Sequence, residues 1–132
     1  MKFQVFLNEN FRDSVVFGFD PASDMLREAV SFEQEPSGDI QADLEKVFDY
    51  LNIGGDPGFN LSHNEYSQRY REEQNRSLSK GDVIIAGDQA YAVASYGFKE
   101  VGMPGVEIAI KRYNRRLRNA IGGLLDEMEK MS

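Results

Sequence analysis

Cysteine and tryptophan are absent from this 132-residue chain, which has a single histidine and only four prolines. Without thiols there is no disulfide framework, thiolate zinc site or cysteine nucleophile, and one imidazole is too few for a histidine-based metal centre. No cofactor and no metal site are therefore expected, and the missing cysteines fit a reducing compartment. Long apolar runs are also lacking. Phe3 to Leu7 is broken at Asn8 and Glu9, too short for a signal-peptide core or a membrane span, so a cytoplasmic protein without membrane contact is expected.

Internal repeats, low-complexity tracts and interdomain linkers are missing too, and the length suits one domain over residues 1–132. What the chain does have is charge, unevenly placed. Residues 1–66 carry 4 basic and 13 acidic side chains, whereas residues 67–132 carry 11 basic and 9 acidic, within a net charge of −7. That balance opposes general nucleic-acid binding, but a local basic stripe can still act within a Debye length of about 8–10 Å.

Alternation of apolar and polar residues predicts strands near 2–8, 14–20 and 28–33, the second from Val15, Phe17 and Phe19. Ile40, Leu44, Val47, Phe48 and Leu51 recur at helical spacing, predicting a helix over 40–52 capped by Asp39, with Asp43 in its first turn. Residues 54–61 read as a loop, and Ser62 with Glu65 forms a capping box for a surface helix over 63–74 carrying Tyr66 and Tyr70. Lys80-Gly81-Asp82 then turns into strand 83–86, and Gly87-Asp88 makes the hairpin to strand 90–95.

The longest periodic segment is Val106, Ile110, Tyr113, Leu117, Ile121, Leu124, Met128 and Met131, which fall within about 80° at 100° per residue. It predicts an amphipathic C-terminal helix over about 106–130, with Gly122-Gly123 on its polar side. The expected fold is α+β: a small antiparallel sheet packed against two or three helices.

Few constellations suggest chemistry, and no catalytic residue is assigned. Lys111, Arg112, Arg115, Arg116 and Arg118 put five cations on two turns of the last helix, suited to phosphates or to an acidic protein surface. The plainer reading is a solvated face answering the acidic half of the chain. His63 falls in a first helical turn with no triad or zincin spacing around it, and the carboxylates Glu33, Glu35, Asp39, Asp43 and Glu45 lack the order of a calcium loop. Gly81 and Gly87 read as turn glycines, and Tyr66, Tyr70, Tyr91, Tyr96 and Phe98 read as mostly core. Arg76 either anchors local structure or binds a partner carboxylate or phosphate.

Asn75, Arg76, Ser77, Leu78, Ser79, Gly81, Asp82, Val83, Tyr91, Gly97, Phe98 and Val101 together form an ordered pattern. It resembles small actinobacterial and actinophage proteins of unknown function with an Asn-Arg-Ser-Leu-Ser-x-Gly-Asp-Val core. It is also similar to the YodL-like domain of bacterial mobile elements. The close match covers residues 76–101 and their immediate flank; a looser one with the actinophage group reaches the N-terminal strands and the Leu44–Asn52 helix. The resemblance implies a phage or mobile-element setting, where counter-defence and host-interaction roles are common, and it carries over no catalytic residue.

The leading expectation is thus a non-enzymatic accessory protein that binds a host or defence protein in the host cytoplasm. A nucleic-acid-binding accessory protein using the five helix cations is the alternative, and an enzyme with a cleft around Arg76 or His63 the third reading. The apolar stripe can cover the domain's own sheet or join two copies as a homodimer.

Overall fold

The computed structural model describes residues 1–53, 70 and 75–131. In it β1 (Lys2–Asn8), α1 (Phe11–Phe17), β2 (Leu26–Glu33), α2 (Ile40–Ile53), β3 (Val83–Ala86), β4 (Gln89–Val93), β5 (Phe98–Val101) and α3 (Met103–Met131) follow in order. The strands form one antiparallel sheet in the order β2-β1-β3-β4-β5, so the fold is α+β as expected.

β3 lies at the middle of the sheet, and its unbroken Val-Ile-Ile-Ala run is buried throughout because both faces are covered. On one face Phe3, Val5, Leu7, Val30, Phe32 and Ile84 meet Leu44, Val47 and Leu51 of α2. On the other, Phe6, Leu26, Val83, Ile85, Ala90 and Ala92 meet Val106 and Ala109 of α3. Alanines on this face of β4 leave room for the helix to lie close. The register shift between Val5 and Phe6 against β2 is a bulge, which bends the sheet beneath these layers.

Asp39 caps α2 as its spacing predicts, with its Oδ1 accepting from the Gln41 and Ala42 N–H groups at 3.1 and 3.3 Å. The Gln41 side chain then reaches across to Phe98, donating to its carbonyl at 3.1 Å and accepting from its N–H at 3.2 Å. This amide occupies backbone groups of the edge strand β5 that would otherwise be open to another chain.

Two expectations are corrected. Residues 14–20 are not a strand: the chain forms α1 from Phe11 and leaves it at Gly18, whose φ of +87° suits glycine. Both edges of β1 are already paired, by β2 and β3, so no position beside it remains for a strand there. Of the apolar residues behind that reading, Val15 and Phe17 are 40% and 81% exposed and Phe19 is partly buried against the core, while Ser14 is the residue of α1 that is buried. β5 is the second difference, a strand where the sequence suggested none. The predicted helix over 63–74, with His63 and Tyr66, lies outside the described residues apart from Tyr70, which is buried. Among the described residues no helix is long and apolar enough to cross a membrane.

Candidate functional site

Two polar constellations stand out, one inside the domain and one on α3. The inner one grows from the end of β1, where Asn8 breaks the apolar pattern yet is buried. Its side-chain Nδ2 donates to Asp24 at 2.8 Å and to the Gly81 carbonyl at 3.0 Å, and its Oδ1 accepts from the Asn10 N–H at 2.9 Å. Asp24, also buried, accepts further from Asn10 Nδ2 at 2.9 Å and from the Asp20 N–H at 2.8 Å. A buried carboxylate is costly to desolvate, and these amide donors replace its lost water.

Asp82 is fully buried beside it. Its carboxylate accepts from the N–H groups of Asn8 and Ser79 at 2.8 Å each, and from Arg76 through Nη1 and Nη2 at 2.6 Å each. The two-pronged geometry matches planar guanidinium to carboxylate. Arg76 also donates to the Asn8 carbonyl at 3.0 Å, and its guanidinium carbon stands 4.3 Å from the centre of the Phe11 ring. The Tyr70 hydroxyl donates to the Arg76 carbonyl. Burial first, and the Asp82 charge second, push the Tyr70 phenol well above its ordinary value, so it stays neutral.

The motif residues therefore have places in the fold. Ser79 to Asp82 close a turn, the Asp82 N–H donating to the Ser79 carbonyl at 3.0 Å, and Leu78 and Val83 enter the core. Gly81 has a φ of +96°, and a Cβ there would stand 2.5 Å from that of Ser14, so α1 rests directly on this turn. Arg76, singled out as a candidate binding residue, has its carboxylate within the same chain. Sequence reasoning did not find Asn8, Asp24 or Asp82 as its companions; the local signals were a polar residue at the end of an apolar strand and Asp82 six residues after Arg76 in the same motif.

The outer constellation lies on α3. Arg112 turns inward and donates to the carbonyls of Asp24 and Pro21, tying the helix to the loop before β2. Lys111, Arg115, Arg116 and Arg118 make no hydrogen bond or ion pair with any described residue. Lys111, Arg112 and Arg115 surround a shallow surface depression with Ile108, which is half exposed. At 100° per residue Lys111 and Arg115 point away from the apolar stripe, whereas Arg116 and Arg118 flank it on opposite sides.

Beyond Tyr113 the helix leaves the domain. Val106 and Ala109 are buried, but Leu117, Ile121, Leu124, Leu125, Met128 and Met131 are 45–88% exposed. The predicted stripe thus has two halves, the first on the sheet and the second in solvent. Among the described residues no cluster of three His, Cys, Asp or Glu side chains is arranged to hold a metal ion. A further open groove, about 480 Å³, runs between α2 and the β4–β5 turn, lined by Gln41, Glu45, Phe48, Val93 and Phe98.

Comparison of the chain with protein-family models, curated proteins and solved structures finds no match.

Proposed function

We propose that this is a non-enzymatic binding protein whose recognition surface is the outer face of α3. It uses Lys111 and Arg115, with Ile108 between them, to engage an acidic surface on a host or defence protein. The observation that carries this reading is that these cations are unengaged by any described residue and stand around a depression with the half-exposed Ile108. The buried carboxylates Asp24 and Asp82 are taken up by structural bonds, which supports recognition over catalysis.

The phage or mobile-element setting, and with it a counter-defence or host-takeover role in the host cytoplasm, rests on the resemblance of residues 75–101. A protein partner is favoured over nucleic acid by the acidic body behind the helix: residues 1–53 carry Lys2, Arg12, Arg27 and Lys46 against 11 acidic side chains. That field repels a polyanion approaching broadly but not a local acidic patch. Nucleic acid is the second reading, favoured by Lys111, Arg115, Arg116 and Arg118, the four of the five helix cations that no described residue engages.

Pull-down from host lysate, comparing the chain with its K111E/R115E variant, tests the proposal beside a mobility-shift assay. The expected result is a protein retained by the unaltered chain and lost with the variant, while DNA and RNA stay unbound at about 50 mM salt, where electrostatic binding is strong. Equal retention by both chains, or a nucleic-acid shift abolished by the variant, overturns it.

A further inference from the structure

One face of α3 runs without a break from the domain into solvent. Val106 and Ile110 lie on it against the sheet, and Leu117, Ile121, Leu124, Met128 and Met131 continue it in steps of four, three, four and three residues. That alternation averages 3.5 residues, the repeat of a two-stranded coiled coil. The free segment is 18 residues, about 27 Å long, and it holds Gly122-Gly123, each costing about 1 kcal/mol in a helix interior. The docked residues 103–113 supply its nucleus, but with two glycines and an exposed apolar face such a stretch frays in water unless that face is packed against something.

We propose that a second copy of this chain covers the stripe, the two α3 helices lying antiparallel and overlapping over residues 114–131. The pairing centre falls between Gly122 and Gly123, so Leu117 of one copy lies opposite Met128 of the other, and Ile121 opposite Leu124. The outward cations Lys111 and Arg115 stay clear of this contact, and the inference stands independently of what they bind.

Sterics and charge both choose the orientation. The domain sits on the stripe face at Val106 and Ala109. A parallel partner would need that same space for its own residues 103–113 and its own domain. An antiparallel partner brings only the tip of its helix to the edge of the domain. Parallel pairing would also set Arg116 and Arg118, the two cations that flank the stripe within the overlap, beside the same two. Antiparallel pairing instead sets these two near the partner's acidic stretch 126–129, with Arg116 and Glu127 on one shared flank. Exposed pairs contribute little to affinity, but like charges placed together select against the parallel form.

The absence of native cysteine makes the test clean. Single-cysteine variants L117C and M128C, both at exposed positions, are oxidised separately and as a mixture, and the molar mass of the unaltered chain is measured by light scattering. The expected result is a mass twice that of one chain, with a cross-link between L117C and M128C in the mixture. Either variant alone should cross-link poorly, because its two thiols would sit about 16 Å apart along the helices, beyond the roughly 7 Å Cα limit of a disulfide. A mass of one chain, leaving the stripe to a foreign partner, overturns the proposal. So does efficient cross-linking of L117C with itself, the mark of a parallel pair.

Discussion

At the scale of single residues, the inner polar cluster links three stretches of chain far apart in sequence. Asp82 receives Arg76 from six residues before it and the Asn8 N–H from 74 residues away, so the cluster is completed only when β1 and β3 are side by side. This is why the sequence shows Arg76 as a candidate for binding and not its companions: nothing local places Asn8 beside Asp82. Tyr70 reports on the same cluster. Its phenol is raised above 10.0 by burial and by Asp82, so the neutral form is favoured in the fold. The sign follows: the stability it contributes is complete below pH 10 and is lost as pH rises towards the folded-state value. Urea unfolding should therefore show stability falling above pH 10, and Tyr70→Phe should remove most of that slope. Tyr50, raised by burial and then by Asp49, keeps a residual decline. An unchanged slope in Tyr70→Phe would contradict the placement of this hydroxyl.

Elements were legible where one periodicity dominated. β1, β3 and β4 stand close to where alternation or continuous apolar runs put them, and α2 and α3 follow their helical spacing to within a few residues. α1 was misread because Val15, Phe17 and Phe19 alternate as a strand does, yet helix formation there buries Ser14 and leaves Val16 and Phe17 outside. What decides it is the Gly81 turn, against which Ser14 packs. β5 went unseen because Phe98 and Val101, three apart, serve opposite faces of the sheet, so Phe-Lys-Glu-Val shows no period of two. Gly81→Ala tests the contact between α1 and this turn. It places a side chain at φ +96° and 2.5 Å from Ser14, and should cost at least about 2 kcal/mol of unfolding free energy. A loss under about 0.5 kcal/mol, the usual range for a surface substitution, would contradict it.

For the whole molecule, a net charge of −7 conceals an acidic body and a basic segment at the root of a projecting helix. Both the cations and the apolar stripe were visible as patterns on α3. What pattern could not show is where the stripe stops serving the domain, because the residues on either side of Tyr113 are equally apolar. That boundary is the centre of the account: up to Tyr113 the helix packs on the sheet, and beyond it its apolar face is exposed and, as proposed above, serves for pairing with a second copy. Amide hydrogen exchange along α3, followed at several protein concentrations, tests this most directly. The account predicts protection that continues past Tyr113 to about Met128 and weakens there on dilution, while the segment packed on the sheet stays protected. Protection beyond Tyr113 that is independent of concentration, or that is absent at every concentration, would contradict it.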